Sequence, residues 1–421
     1  MNLKALSQKN VSLDLQFVRS QFPAFKDRIS KEILFFENAG GSFVPQNVIE
    51  RLNNFMISTK VQPYANFKSS KIAGENMDKA IELFSKIVNV KKKEIIIGGS
   101  TTQNIYVLSN SLKKILKKNS EIIVTNQDHE ANIGAWRRLK EHGIKIKEWK
   151  MNKKNGELEV NSLEKLINKN TKLVCVSHCS NIVGSINNIK EISKICHKNG
   201  SLIFADGVSY APHGFPDIKS LDVDFYSFSL YKTFGPHLGL LYVKESILKK
   251  LPNQNHEFLE GQYPYTLNPG GPNHEELSCC IGIYEYFENI FYHHFGKKNI
   301  SIKNKIKYVN NLISKHEQII GNKLLNFLKK NKNIKIIGKN QITNNDRAPT
   351  ISFIHKKIKS KSIAKKLVKN GVGTRNDNFY AWRCLKYLGI DPDDGVIRIS
   401  MVHYNTINEV NKLIKILKKI I

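Results

Sequence analysis

The sequence predicts an α/β fold, with a mostly parallel sheet in a large domain and a small α+β domain at the C-terminus. Short apolar runs alternate with amphipathic helical stretches from Glu94 to Val243, the rhythm of strand–helix–strand units. Nearly every apolar run gives way to polar residues: Ser100–Asn104, His129, Asn181, Asp206 and Lys232. In parallel sheets, ligands gather at the carboxyl ends of strands, so one rule places all five together. Beyond Pro252 the alternation loosens into a loop, a long helix and short mixed elements. A chain of 421 residues has length for two domains. The expected division is an N-terminal arm at 1–37, a large domain at 38–290, and a linking helix with the small domain at 291–421.

In chain order, the arm holds one short helix, and Glu32–Glu37 (EILFFE) reads as a strand entering the turn Asn38–Ser42. Helices are expected at Val48–Met56 and Met77–Val88, the second from Ala80, Ile81, Phe84, Ile87 and Val88 on one face. Glu94–Ile97 is a strand that runs into Gly98–Asn104, ahead of a helix from Ile105. Free backbone N–H groups and hydroxyls there suit either a plain helix cap or a single phosphate. Strands follow at Glu121–Thr125, Lys145–Trp149, Leu173–Ser177 and Ser201–Ala205. His129 sits where the first of these gives way to a helix, as a cap or as a ligand-stacking ring. Asn161–Glu164 resembles a capping box, and Ile189–Lys198 is a helix closed by Gly200. A helix over Glu275–Phe287 precedes a long one from Asn299 to about Lys330, with a break expected near Gly321. Strands at Ile334–Ile337, Thr350–Phe353 and Val396–Met401, a helix at Ser362–Asn370 and a last helix capped by Thr406 complete the reading.

The stretch Asp222–Glu245 (DVDFYSFSLYKTFGPHLGLLYVKE) carries the chemistry. Lys232 lies in a tight loop between two core strands, where burial penalises the cation and favours a neutral amine. Such an amine forms a Schiff base with an aldehyde. Asp206 ends a neighbouring apolar run, and a lysine with an aspartate in those places is the minimal set for pyridoxal phosphate.

Composition narrows the alternatives. The net charge of +30 invites a polyanion, but the lysines spread along helices rather than forming one arm interleaved with aromatics, so nucleic acid is not the expected partner. Six cysteines and 13 histidines show no metal-ligand spacing, and no metal is expected. Neither a membrane-length apolar run nor a signal-peptide core occurs, which gives a cytoplasmic expectation.

With these residues in hand, the chain resembles the fold-type-I, class V aminotransferase family, and within it the cysteine desulfurase and selenocysteine lyase-like branch, from about Glu32 to the C-terminus. The resemblance implies the aspartate aminotransferase-like fold, pyridoxal 5'-phosphate as cofactor, an amino-acid substrate and a homodimer. It implies that Lys232 in FSLYKTFGPHLG is the Schiff-base lysine, Asp206 in FADGVS the pyridinium partner, and His129 in DHEAN the ring that stacks on the cofactor. Asn181 in CSNIVG would lie near the phenolic oxygen. Thr101 and Thr102 in STTQN, with Ser229 and Tyr231, would hold the phosphate, and Ser209 stands where relatives have a glutamine. Arg398 in VIRISMVHYNT would grip the substrate carboxylate, with Asn38, Ala39 and Arg375 nearby.

The sequence also departs from that pattern. Desulfurases of this group carry a loop cysteine before the carboxylate-binding arginine, and the corresponding residue here is Tyr380; Cys384 lies four residues later. The threonine that reaches a neighbouring subunit's phosphate is Gly271, with Asn273 or His274 as stand-ins. A tyrosine cannot accept sulfur. The expected activity is therefore that of a lyase or transferase working through an external aldimine and Cα deprotonation, of β-elimination or C–S lyase type. The alternatives are a true desulfurase using Cys384 or an external thiol, an epimerase or aminotransferase, and a non-catalytic cofactor-fold or nucleic-acid-binding protein.

Overall fold

The computed structural model describes residues 11–343 and 346–421, so the first ten residues of the N-terminal arm lie outside the described residues. Its strands are β1 (Leu34–Phe35), β2 (Ile95–Gly98), β3 (Glu121–Thr125), β4 (Lys145–Trp149), β5 (Thr171–Ser177), β6 (Leu202–Asp206), β7 (Phe225–Ser229), β8 (Gly239–Val243), β9 (Ile334–Ile336), β10 (Thr350–His355), β11 (Val372–Gly373), β12 (Arg375–Asp377) and β13 (Val396–Ser400). Seven of them form one sheet in the order β2-β8-β7-β6-β5-β3-β4. Only β8 runs against its neighbours, pairing antiparallel with β2 and with β7. The other pairs are parallel, and β3, β7 and β8 are buried along their whole length. Burial on both faces explains why these strands read as unbroken apolar runs rather than alternating ones.

A second, antiparallel sheet has the order β12-β13-β10-β9. The helix Ile302–Leu328 runs from the larger sheet's side to this one, and the helices Ser360–Lys369 and Ile407–Ile420 pack with it around a separate apolar core. The N-terminal segment is tied in by β1, which pairs parallel with β11, and by a bridge between Glu37 and Ser400.

Several expectations change in detail. Helix Ile302–Leu328 continues through Gly321 without a break, because that glycine is a packing site: a Cβ there would meet Ile342 Cδ1 at 2.4 Å. The helix expected from Met77 begins at Lys68. Its first turns bury Ser70, Ala73 and Gly74 rather than large apolar residues, so no hydrophobic period marks them. The helix at Val160–Leu166 has no side-chain cap; Ser162 instead accepts the Trp149 indole N–H at 2.7 Å. The strand expected at Glu32–Glu37 shrinks to β1 after a 3-10 turn, and Phe55–Thr59 forms a π-helical turn after the helix Gln46–Asn54. The capping box at Thr406 and Glu409 is present as read.

Candidate active site

The parallel register of β6 and β7 sets Asp206 opposite Ser227, so the chain leaving β7 returns past the end of β6. A 3-10 turn, Leu230–Lys232, carries the lysine there. The result is a cavity lined by Lys232 and Asp206, by His129 and Asn181 from the loops after β3 and β5, and by Thr101, Thr102, Ser229, Tyr231 and Ser209. A smaller space adjoins it, sharing Lys232 and Ser209 and adding Asn38 and Ala39.

One end of the cavity is built to meet an anion. The helix Thr101–Lys113 starts there, with Ser100 accepting the Gln103 N–H at 3.1 Å. The hydroxyls of Thr101 and Ser229 are 2.9 Å apart. Gly239 in β8 lets the helix start lie against the sheet, since a Cβ would come within 2.3 Å of the Thr101 nitrogen. Unpaired N–H groups of a first turn and paired hydroxyls are donors suited to a phosphate.

The other end holds the titratable groups. Burial, reinforced by the Arg398 charge, lowers the Lys232 pKa to about 8. Burial raises Asp206 to about 6, against the opposing pull of the Val208 N–H, which donates to Oδ1 at 2.8 Å, and of Lys232. At neutral pH the aspartate is thus ionised and a part of the lysine is neutral. Burial lowers His129 to about 3, so its ring is neutral. Its Nδ1 accepts the Ala131 N–H at 3.0 Å, which leaves the proton on Nε2.

Arg398 in β13 is fully buried beside this group, its guanidinium 3.6 Å above the Phe379 ring. Nη2 donates to Glu37 Oε1 at 2.8 Å, Nη1 to the Asn181 carbonyl at 3.4 Å, and Nε has no partner among the described residues. Arg375 is half exposed and reaches the same Glu37 oxygen at 3.3 Å. The Asn38 side chain is committed to the fold: it donates to the Ser400 carbonyl at 2.8 Å and to Asn405, and accepts from the Tyr404 hydroxyl. The Ala39 N–H donates to Ser400 Oγ at 2.9 Å. Asn181 donates to the Phe379 carbonyl at 2.9 Å.

Tyr380 is 66% exposed, with its ring 5.3 Å from that of His129. Phe379 and Tyr380 both adopt positive φ, 50° and 59°, a conformation costly for aromatic residues. The Tyr380 carbonyl accepts the Glu130 N–H at 2.7 Å, which ties this turn to the His129 loop. Cys384 sits on the helix Trp382–Tyr387 with no exposed surface, and burial pushes its thiol up to about 12. That environment argues against Cys384 as a sulfur acceptor. Sequence reasoning did not single out Glu37 or Phe379, the two residues that position Arg398. Glu37 closes an apolar run, and its partner lies 361 residues away, so no local pattern announces it.

Comparison with known proteins identifies the family. The sequence matches the family described as aminotransferase class-V over residues 34–265 and 295–413. The chain belongs to the class V aminotransferase family. It is 35% identical to the aminotransferase-like protein FGM3 of Gibberella zeae, over 97% of this chain and 99% of that protein. It is 31% identical to the cysteine desulfurase-like protein ustD of Aspergillus flavus, over 97% and 91%. In fold it matches the apo cysteine desulfurase of Thermococcus onnurineus NA1, with a TM-score of 0.83 and 22% identity over 96% of this chain and 97% of that one. The class V family consists of pyridoxal phosphate-dependent enzymes, and this chain is a cysteine desulfurase-like member of it.

Proposed function

We propose that the chain holds pyridoxal 5'-phosphate in the cavity around Lys232 and acts on an amino acid by removing the Cα proton, with β-elimination of C–S lyase type as the reaction. One observation carries the reading: Lys232 and Asp206 line a single cavity from the ends of adjacent parallel strands. The donor set supports the cofactor, because the chain offers a partly neutral amine, a buried ionised carboxylate and a helix start with two hydroxyls. When bound, pyridoxal phosphate supplies an electron sink for the charge left at Cα.

The chain's own groups do the rest. Thr101, Thr102, Ser229 and Tyr231 with the helix start would hold the phosphate, Asp206 the ring nitrogen, and Asn181 the phenolic oxygen. His129, neutral and fixed through Nδ1, offers a flat face for stacking. Ser209 lines the same wall. Arg398 would hold the substrate carboxylate, which requires Glu37 to give up or share the guanidinium. Arg375, Asn38 and Ala39 would shape that end of the site. Lys232, about half neutral at pH 8, can take the Cα proton and return it. By the resemblance, Tyr380 stands where desulfurases carry the sulfur-accepting cysteine, and a tyrosine cannot take up the sulfur.

Apolar side chains exposed at Ile57, Tyr64, Phe67, Phe258 and Tyr265 support a homodimer. The domains of each protomer would divide near residues 38 and 290. No described helix is long and apolar enough to cross a membrane. All six cysteines are free, which fits a reducing, cytoplasmic setting.

The test is a panel of amino acids with product analysis for pyruvate, alanine, sulfide and the D-isomer. Pyruvate or another keto acid from a substrate with a Cβ leaving group supports the reading. Alanine with sulfide formed only when an external thiol is added supports the second reading, a desulfurase, which relatives named cysteine desulfurase favour. No turnover and no cofactor uptake would overturn both.

A further inference from the structure

The arginine end of the site is already occupied by an acid of the chain itself. Arg398 is 2% exposed and is not among the residues that line either cavity beside Lys232, although Asn38 and Ala39, which follow Glu37, line the smaller one. Phe379 covers one face of its guanidinium at 3.6 Å, and Glu37 takes the edge, with Oε1 2.8 Å from Nη2. Glu37 is the one acid that pairs with Arg398 among the described residues. Its place follows from the backbone, since Glu37 bridges to Ser400, two residues beyond Arg398 in β13. The register of β12 and β13 sets Arg375 directly opposite Arg398, and the same Glu37 oxygen lies 3.3 Å from Arg375 Nε. Two cations facing each other across a strand pair repel, and a carboxylate shared between them relieves the repulsion. The charges of Arg398, Glu37 and Arg375 all act on Lys232, so the group lies within electrostatic reach of the amine.

We propose that Glu37 is a specificity-determining residue: it holds Arg398 as a resident carboxylate until the carboxylate of an amino acid takes its place, and then stays with Arg375. This rests on the reading of Arg398 as the partner of the substrate carboxylate. The charge balance gives the exchange its selectivity. Asp377 lies 3.4 Å from Arg375, so two arginines stand against two carboxylates, and a bare anion meets no net attraction there despite the chain's net charge of +30. Such an anion must also displace Glu37, and its apparent affinity falls with the fraction of chains in which Arg398 is unpaired. An amino acid is anchored through its amine as well, which raises the effective concentration of its carboxylate at Arg398. Glu37 keeps an ion pair after the exchange, because Arg375 is already in contact with it, and this limits the cost of giving up Arg398.

The experiment measures binding of 3-methylthiopropionate, a carboxylate without an amine, to the whole chain loaded with pyridoxal phosphate, by calorimetry. Glu37→Gln should bind this probe about tenfold or more tightly than the wild type, the effect of removing one charge-assisted competitor. Glu37→Asp keeps a charge for the buried arginine but reaches less far, and should tighten binding by a smaller factor. Arg375→Gln, at a half-exposed position, deprives the displaced Glu37 of its other partner; it should weaken binding more in the wild-type background than beside Glu37→Gln. Arg398→Gln should weaken binding in every background. Probe binding that both Glu37 variants leave unchanged or weaken would show that Glu37 only supports Arg398, and this overturns the proposal. An equal effect of Arg375→Gln in both backgrounds would overturn the transfer to Arg375. Binding indifferent to Arg398→Gln would overturn the carboxylate reading of Arg398 itself; binding that Arg398→Gln weakens and the Glu37 variants do not tighten overturns the exchange alone.

Discussion

The charge of Arg398 should set how readily Lys232 reacts, and Arg398→Gln tests this on the cofactor-free protein. With the pKa at about 8, about one Lys232 amine in ten is neutral at pH 7, against about one in three thousand for an ordinary lysine. Burial is the larger cause of that depression, and the Arg398 charge is the next. Removing the guanidinium also leaves Glu37 with Arg375 alone against it, so more of its negative charge acts in the opposite direction on Lys232. Both changes raise the lysine's pKa, by about one pH unit for charges that interact through a protein interior at an effective dielectric near 20. The assay is stopped-flow absorbance of pyridoxal phosphate capture from pH 6 to pH 11. Capture by the wild-type chain should fall about tenfold per pH unit below a midpoint near 8. Arg398→Gln should move that midpoint up and slow capture about tenfold at pH 7, while the two proteins converge above pH 10. Arg398→Lys keeps the charge and should keep the midpoint. A midpoint indifferent to Arg398→Gln, or one near the ordinary lysine value in the wild type, would refute the electrostatic account.

Asp206 makes a stability prediction with a definite sign. Its folded pKa of about 6 lies above the ordinary aspartate value of 3.8, so the stability it contributes is whole below pH 3.8 and is lost as pH rises through 6. In the cofactor-free protein, Asp206→Asn should therefore gain on the wild type by up to about 3 kcal/mol between pH 4 and pH 7, measured by urea unfolding; a difference constant across that range would contradict the burial of an ionised carboxylate. Gly321→Ala should lower Tm despite alanine's better helix propensity, by about 1–3 kcal/mol of overpacking against Ile342; a rise in Tm would show that the 2.4 Å approach relaxes freely. Iodoacetamide should label none of the six buried cysteines before unfolding, and activity should be indifferent to it; rapid labelling of Cys384 would reopen its role as a sulfur acceptor.

Much of the candidate site is legible in the sequence because parallel strands, buried on both faces, announce themselves as apolar runs, and their carboxyl ends share one edge. Ser100–Asn104, His129, Asn181, Asp206 and Lys232 follow from that single rule. The arginine end is much less legible. Glu37, Phe379 and Arg398 come from distant parts of the chain and meet beside β13, and Phe379 takes its place through a positive φ that an aromatic residue does not advertise. Short elements failed for a related reason: β11 and β12 span two and three residues, and their pairing with β1 and β13 lends them an order that their own side chains do not encode. Gly321 misled because a glycine in a helix weakens the helix or admits a neighbour, and only the position of Ile342 decides between them.

The most direct measurement is peptide mapping by mass spectrometry after the protein, loaded with pyridoxal phosphate, is reduced with borohydride. The account predicts one phosphopyridoxyl group per chain, on the peptide that contains Lys232, and none in Lys232→Ala. A modified lysine elsewhere, or a Lys232→Ala protein that traps the cofactor as fully as the wild type, would contradict it.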